Sequence, residues 1–259
     1  MKRTLAGVPI VDYHRLVAPG VSLSFDDPFA VGESALRDQL RLVGDLQYSV
    51  VSPEAIAAGR VPAKAVAFTF DDGYSSHYDV GFRVLSEFGV SGTFFVNTSS
   101  IGSGEFLDWS MANEMVRGGM HFGSHAHNHV VLTTLNAARL REELRTSREM
   151  LEQRLSCAVE VLAVPYGFCD QHVVNAACES GYRVVCTSKP WPARPGSRVL
   201  SRVGVAGRTS LNDFRRFLLN DPATYLRMWG RDRALAIPRY VFVRLRPEML
   251  GVRTAEGRP

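Results

Sequence analysis

Residues 65–73 read Ala-Val-Ala-Phe-Thr-Phe-Asp-Asp-Gly, a run of apolar and β-favouring residues that ends in two acids. Such a run predicts a buried strand, and its polar end predicts a loop that carries function. Asp71 and Asp72 repel each other at the exit of this strand, and a divalent cation would relieve the repulsion. Gly73 permits the sharp turn that lets both carboxylates face one cavity. Because Asp-Asp-Gly also occurs in ordinary turns and helix caps, the segment alone leaves both interpretations open.

Short apolar runs and helical patterns alternate on both sides of this segment, without an internal repeat. The predicted strands are 8–11, 65–70, 92–96, 121–124, 159–164, 183–187 and 200–203. The predicted helices are 33–46, 80–88, 109–117, a long one that follows Asn136 as its N-cap, 171–179 and 210–219. This alternation predicts an α/β fold built on a parallel sheet, either open or closed into a barrel.

Polar residues follow three of the predicted strands, at 71–72, at 125 and 129, and at 165–167. In barrels of this kind the loops after the strands build the active site. We therefore expect a distorted (β/α) barrel of about seven parallel strands. We assign a catalytic domain to residues 1–220 and a basic extension, packed on or beside the barrel, to residues 221–259.

A histidine cluster follows the strand 121–124, where residues 123–129 read Gly-Ser-His-Ala-His-Asn-His. Neutral imidazoles are good zinc ligands, and one helical turn or a compact loop would direct His125 and His129 at one ion. Two histidines and one aspartate make a three-ligand site that leaves positions open for water and substrate. His127 is expected to support these ligands or to face solvent. A polar surface loop is the alternative interpretation of the cluster.

The charge of the chain is uneven: ten arginines stand against four acids between residues 215 and 258, although the formal net charge is only +4. A basic segment with interleaved aromatic residues indicates contact with an anionic membrane surface or a phosphate-bearing substrate. An arginine-rich solvated surface is the alternative. No recognised motif accompanies the charge, so no nucleic-acid partner is expected.

No stretch reaches the roughly 18 apolar residues that a membrane span needs, and residues 4–11 are interpreted as a core strand rather than as a leader. We therefore expect a cytoplasmic protein, with peripheral membrane contact through the basic extension; a leader missing from the sequence is the alternative. The sequence leaves the oligomeric state open.

Three motifs, taken in order, resemble those of the polysaccharide deacetylases, also called the NodB-homology family or family-four carbohydrate esterases. Residues 69–73 resemble the first motif, His125 with His129 the second, and 164–167 (Val-Pro-Tyr-Gly) the third; the resemblance covers about residues 8–220.

This resemblance implies roles for single residues. Asp71 is expected to be the catalytic base, and the Tyr166 backbone N–H is expected to bind the oxyanion. The implied metal ligands are Asp72, His125 and His129. Zn²⁺ is the expected metal, and Co²⁺ or Ni²⁺ would also suit this ligand set.

Two positions depart from the family pattern. Ala163 stands where many members carry an arginine that orients the base, and no histidine follows residue 172 to act as the late general acid. Asp12-Tyr13-His14 resembles the early Tyr-His pair of the permuted biofilm poly-N-acetylglucosamine deacetylases. His14 is therefore expected to be the general acid, and Arg202 to replace the missing arginine beside Asp71.

The resemblance implies hydrolysis of an N-acetyl group on an amino sugar, in a polysaccharide, an oligosaccharide, or a lipid- or nucleotide-linked sugar. One alternative is hydrolysis of another amide-like bond, as in a formamide, a ureide or a cyclic imide. A carbohydrate-binding relative without turnover is the other alternative.

Overall fold

The computed structural model describes residues 4–21 and 27–245, and only the backbone of residues 235–245. Its strands are β1 Ile10–Tyr13, β2 Leu16–Val17, β3 Val31–Gly32, β4 Ser49–Val50, β5 Ala65–Phe70, β6 Thr93–Val96, β7 His121–Ser124, β8 Val161–Ala163, β9 Val184–Thr187, β10 Val199–Ser201 and β11 Val203–Gly204. Its α-helices are α1 Glu33–Asp45, α2 Pro53–Ala57, α3 Arg83–Glu87, α4 Trp109–Arg117, α5 Ala137–Leu155, α6 Gln171–Glu179, α7 Leu211–Leu218 and α8 Pro222–Leu245. A π-helical turn, His77–Phe82, precedes α3.

The main sheet is parallel and has the strand order β10-β9-β8-β7-β6-β5-β1-β11, with β4 added beside β5. Its two end strands, β10 and β11, are separated along the chain by Arg202 alone. The sheet therefore curls into a nearly closed barrel surrounded by helices, which confirms the predicted α/β barrel. Eight strands form the main path, where about seven were predicted.

The extra strand arises at the predicted strand 200–203. Val199 pairs with Val185 of β9, whereas Val203 pairs with Val11 of β1. The chain changes its partner strand at Arg202, whose side chain is completely buried. One predicted strand is therefore divided into two, one on each side of the closure.

Side chains alternate between the barrel interior and the helical layer, as the period of a strand requires. In β5, Val66, Phe68 and Phe70 belong to the core beneath the helices. Ala65 and Ala67 instead pack with side chains from the other strands inside the barrel. Small side chains at these interior positions leave space for the polar groups that follow further along the same strand.

Helix α8 occupies the beginning of the predicted extension 221–259. It starts against the barrel, where Tyr225 is buried and its hydroxyl donates to the Phe217 carbonyl at 3.3 Å. Residues 246–259 of the extension lie outside the described residues. The division at residue 220 stays a prediction.

Candidate active site

Strand alternation brings four chemically capable side chains to one end of the barrel. The interior positions of β1, β5, β7 and β10, followed toward the carboxyl ends of these strands, lead to polar residues. These residues are Asp12, Asp71, His125 and Arg202, each at most 2% exposed. The site is thus formed by strand ends that the sequence separates by as much as 190 residues.

Arg202 holds Asp71 through two parallel hydrogen bonds. Its Nη1 and Nη2 donate to Oδ1 and Oδ2 of Asp71, each at 2.7 Å. Nη1 also donates to Asp12 Oδ1 at 3.0 Å and to Thr69 Oγ1 at 3.3 Å. This fork geometry fixes the plane of the Asp71 carboxylate as well as its charge. The structure therefore brings together the two residues that the sequence proposed as base and orienting arginine.

The two carboxylates beside Arg202 differ in protonation. Burial opposes ionisation of Asp71, but the Arg202 guanidinium lowers the pKa of Asp71 to about 2. Burial raises the pKa of Asp12 to about 7, although Arg202 acts in the opposite direction. Asp71 is consequently an anion at neutral pH, whereas Asp12 titrates near neutrality.

Asp72, His125 and His129 form the second part of the site. Asp72 Oδ1 lies 3.5 Å from His125 Nε2 and 3.2 Å from His129 Nε2. The three donor atoms all lie within 4.8 Å of one another. One carboxylate and two imidazoles are a donor set that suits zinc and its neighbours in the transition series.

His125 is prepared to act as a ligand through Nε2. Its Nδ1 lies 2.9 Å from the Ala163 carbonyl, which accepts a hydrogen bond only if Nδ1 carries the proton. The lone pair of Nε2 then faces Asp72. Burial lowers the pKa of His125 to about 4, so the ring is neutral at physiological pH. These features fit a divalent cation at this position.

A compact loop, rather than a helical turn, presents His125 and His129. Ala126 and His129 both have left-handed backbones, with φ of 62° and 54°. The Glu143 carboxylate accepts from the Asn128 backbone N–H and, at 2.9 Å, from its Nδ2. His127 Nδ1 lies 2.7 Å from Thr98 Oγ1, so this histidine is bound to the neighbouring loop.

The Asp72-Gly73 turn is held by the predicted Gly73 and by Asn97, which the sequence did not indicate. Asp72 has φ of 78°, an unusual value for a residue with a side chain. The buried Asn97 donates from Nδ2 to the Asp72 carbonyl at 2.9 Å. Gly73 also has φ of 78°, and a Cβ there would lie 2.8 Å from Val96 Cγ1. Asn97 and Gly73 therefore fix the backbone from which the Asp72 carboxylate projects.

His14 lies beside the same carboxylates. One of its ring nitrogens is within 4.8 Å of carboxylate oxygens of Asp12 and Asp71. Burial would lower the pKa of His14, but Asp12, Asp72 and Asp71 together raise it above the ordinary value of 6.5. The His14 carbonyl, at 2.6 Å from His77 Nε2, fixes the backbone at this point. The cationic form of His14 is thus stabilised next to Asp71.

Tyr166 lies at the rim of the site, in the 3₁₀ turn Pro165–Gly167. Its backbone is left-handed, with φ of 60°, and its ring lies 4.6 Å from the His129 ring. The structure therefore brings all seven predicted site residues to one end of the barrel. Asp12, Asn97 and Glu143 are the additional residues. Only Asp12 carried a sequence signal, as the acid immediately before the Tyr-His pair.

Comparison with known proteins agrees with this fold. The family model for polysaccharide deacetylase matches residues 58–185. YxkH of Bacillus subtilis (strain 168) is 26% identical over 220 residues, which are 82% of this chain and 76% of that protein. A chitin deacetylase of Pestalotiopsis sp is 30% identical over 144 residues, 55% of this chain and 47% of that enzyme. This chain therefore spans about half the length of that enzyme.

Solved structures match over most of the chain. The Streptococcus pyogenes deacetylase PplD, in complex with acetate, has a TM-score of 0.75 and 24% identity, covering 82% of this chain and 98% of that one. IcaB from Ammonifex degensii has a TM-score of 0.72 and 23% identity, covering 85% and 97%. At these identities the matches establish the fold. The family model and the deacetylase relatives confirm the predicted resemblance of this chain to the polysaccharide deacetylase family.

Proposed function

We propose that this protein hydrolyses the N-acetyl group of an amino sugar and depends on a divalent cation, with Zn²⁺ as the expected metal. One observation carries the proposal: Asp71, an anion oriented by Arg202, lies beside the Asp72-His125-His129 donor set and beside a histidine whose cationic form is favoured. When bound, the cation supplies Lewis-acid stabilisation of the oxyanion and lowers the pKa of a water.

Asp71 is proposed as the base. Its low pKa keeps the carboxylate ionised at neutral pH, and Arg202 fixes both oxygens so that one accepts the proton of the attacking water. The bidentate pair also prevents the carboxylate from rotating toward the neighbouring donor set. Arg202 therefore orients the Asp71 carboxylate but makes it a weaker base. A water whose pKa is lowered would need only a weak base, which would offset this loss.

His14 is proposed as the acid that protonates the departing sugar amine. Three carboxylates raise its pKa, so the imidazolium is available near neutral pH. The Tyr166 backbone N–H is proposed to donate to the oxyanion. The left-handed conformation of Tyr166, next to His129, supports this role because it turns the peptide at the rim of the site.

The named relatives suggest which polymers to test. They include chitin deacetylase, the poly-beta-1,6-N-acetyl-D-glucosamine N-deacetylase of Staphylococcus epidermidis and the peptidoglycan-N-acetylmuramic acid deacetylase PdaA of Bacillus subtilis. All three names describe N-acetylated amino-sugar polymers. An amino-sugar N-acetyl group is therefore the substrate class that we propose for this chain.

Acetate release by the metal-loaded protein tests the proposal. The panel contains oligomers of these three polymers, together with nucleotide-linked and lipid-linked N-acetyl sugars. Asp71→Asn should reduce release by about 10²–10⁴-fold, the usual contribution of a general base, without lowering metal content. Asp38→Asn, an equal change at an exposed helical position, is the matched control and should leave release unchanged.

Each alternative function has its own outcome. Release of formate or ammonia in place of acetate would identify another amide-like substrate. Sugar binding without any product would identify a non-catalytic relative. Loss of metal from Asp71→Asn would mean that the roles of Asp71 and Asp72 are exchanged.

A further inference from the structure

Helix α8 packs on the barrel through Thr224, Tyr225 and Met228, and its remaining sides expose both apolar and basic side chains. Thr224 and Tyr225 are buried. Beyond them, the large apolar side chains of Leu226 and Trp229 are 54% and 43% exposed. Between 226 and 234 only one acid, Asp232, accompanies three exposed arginines. These arginines, Arg227, Arg231 and Arg233, define with Leu226 and Trp229 what we call the α8 surface.

The spacing of these residues gives the α8 surface two sides. Residues 226, 229 and 233 are three and four positions apart, so they share one side of the helix. The Arg233 guanidinium lies 4.9 Å from the centre of the Trp229 ring on that side. Arg227 and Arg231, four positions apart, share a second side, since successive residues of an α-helix are about 100° apart. The exposed part of α8 therefore has an apolar side and a cationic side.

Helix α7 extends the cationic side. Arg215 and Arg216 of α7 are exposed. Asp213 Oδ1 lies 3.7 Å from Arg216 Nη1 and 3.8 Å from Arg227 Nη2, which shows that the two helices meet at this acid. Two arginines sharing one acid leave a net positive charge at the junction.

We propose that the α8 surface binds the anionic headgroups of a lipid bilayer. Arginines attract anionic headgroups, and exposed tryptophan and leucine enter the boundary between headgroups and acyl chains. A purely electrostatic partner such as nucleic acid would not account for the exposure of Leu226 and Trp229. No helix of the described residues is long and apolar enough to cross a membrane, so the proposed contact is peripheral.

The expected affinity changes follow from the two kinds of side chain. Each arginine near an anionic surface should contribute about fivefold to binding. Replacing Arg227, Arg231 and Arg233 by glutamine should therefore weaken binding by about 100-fold. Trp229→Ala should weaken it by about tenfold or more through lost apolar burial.

Flotation of the full-length protein with lipid vesicles tests the proposal. Phosphatidylcholine vesicles are compared with vesicles that also contain phosphatidylglycerol, at low and at physiological salt. The matched control replaces Arg41, Arg145 and Arg183 by glutamine, which removes the same charge from exposed positions elsewhere. Unfolding temperatures and acetate release from a soluble oligosaccharide check that every variant is folded.

Salt-sensitive binding to the anionic vesicles alone, lost in the α8 variants and kept in the control, is the expected result. Absence of vesicle binding would overturn the proposal. Equal loss in the control would also overturn it, since net charge and not the α8 surface would then be responsible. Binding of an oligonucleotide, or a dimer that Trp229→Ala dissociates, in place of vesicle binding would assign the surface to that partner. Because the oligosaccharide assay is separate, failure here leaves the proposed hydrolysis untouched.

Discussion

Replacing Arg202 by methionine should lower the free energy of unfolding by about 3–5 kcal/mol, the usual cost of removing one partner from a buried ion pair. Arg202 is completely buried and binds Asp71 at 2.7 Å and Asp12 at 3.0 Å. Without the guanidinium, the two buried carboxylates lose the cation that binds both of them, and the neighbouring His14 offsets only part of their charge. The size of the effect follows from this uncompensated charge rather than from lost side-chain volume, since methionine fills much of the same space.

The loss should depend on pH. In the native protein the pKa of Asp71 is about 2, against an ordinary value of 3.8. A lowered native pKa contributes stability that is present above the ordinary value and is lost as the pH falls through the native one. Arg202→Met removes this contribution and favours protonation of the carboxylates. Protonation relieves the variant as the pH falls from neutral toward 3.8, so the difference between variant and wild type should shrink over that range. It should shrink further between 3.8 and about 2, where the wild type loses its own contribution.

Urea unfolding of the metal-free protein at neutral and at mildly acidic pH measures both effects. Arg37→Met is the matched control: Arg37 also pairs with two acids, Glu33 and Glu87, each at 2.8 Å, but it is 22% exposed. It should cost at most about 1 kcal/mol. An equal cost for the two variants, or a cost for Arg202→Met that does not change with pH, would refute the reasoning. Asp71→Asn in the Arg202→Met background should recover part of the loss.

Three further predictions concern the neighbours of this pair. Gly73→Ala should lower the free energy of unfolding in urea by about 1–3 kcal/mol more than Gly119→Ala does. Both glycines have positive φ, but only Gly73 has neighbouring atoms within 4 Å of the new methyl group. Equal costs for the two variants would contradict the steric argument. Asn97→Ala should weaken Zn²⁺ binding by about 10–100-fold in a competition titration, whereas Asn113→Ala, which removes a similar amide–carbonyl bond elsewhere, should not. The pKa of Asp12 is raised from 3.8 to about 7, so ionisation of Asp12 should lower the stability of the native protein as the pH rises between those values. Asp12→Asn should therefore show a flatter dependence of unfolding temperature on pH. Identical pH profiles for the variant and the wild type would exclude a titration of Asp12 in this range.

Local patterns account for most of the fold that the sequence predicted. The strand 65–70 and the helices 109–117 and 171–179 have the predicted bounds, since apolar periodicity and capping residues act over a few neighbours. Asn136 caps α5 as expected, accepting from the N–H groups of the first turn. The small pair β2 and β3 and the π-helical turn 77–82 were missed. A two-residue strand has no periodicity, and a π-helical turn differs from an α-helix in its hydrogen bonds rather than in its composition.

Contacts between residues far apart in the sequence were harder to predict. Asp71 and Asp72 are neighbours in sequence, and His125 and His129 are close, so their chemistry can be predicted locally. The position of Arg202 beside Asp71 was proposed only because the family resemblance left a missing arginine to be replaced. The alternation of β10 explains why Arg202 faces the barrel interior, but the closure of the barrel at this residue depends on pairings between strands far apart in sequence. Helix α8 was also hard to interpret from the sequence, because its exposed arginines lie on two sides of the helix and do not form a simple amphipathic pattern.

Closure of the barrel at Arg202 has a consequence for biosynthesis. The base Asp71 leaves the ribosome 131 residues before its arginine partner. Until then, Asp12 and Asp71 lie on adjacent strands of a growing sheet without the cation that neutralises them. A nascent chain that ends before residue 202 therefore contains every proposed metal ligand. It lacks the arginine that neutralises Asp12 and Asp71, and its sheet is not closed. The site should mature last, and shortened products should remain open at the β1 edge, where an unpaired strand invites aggregation.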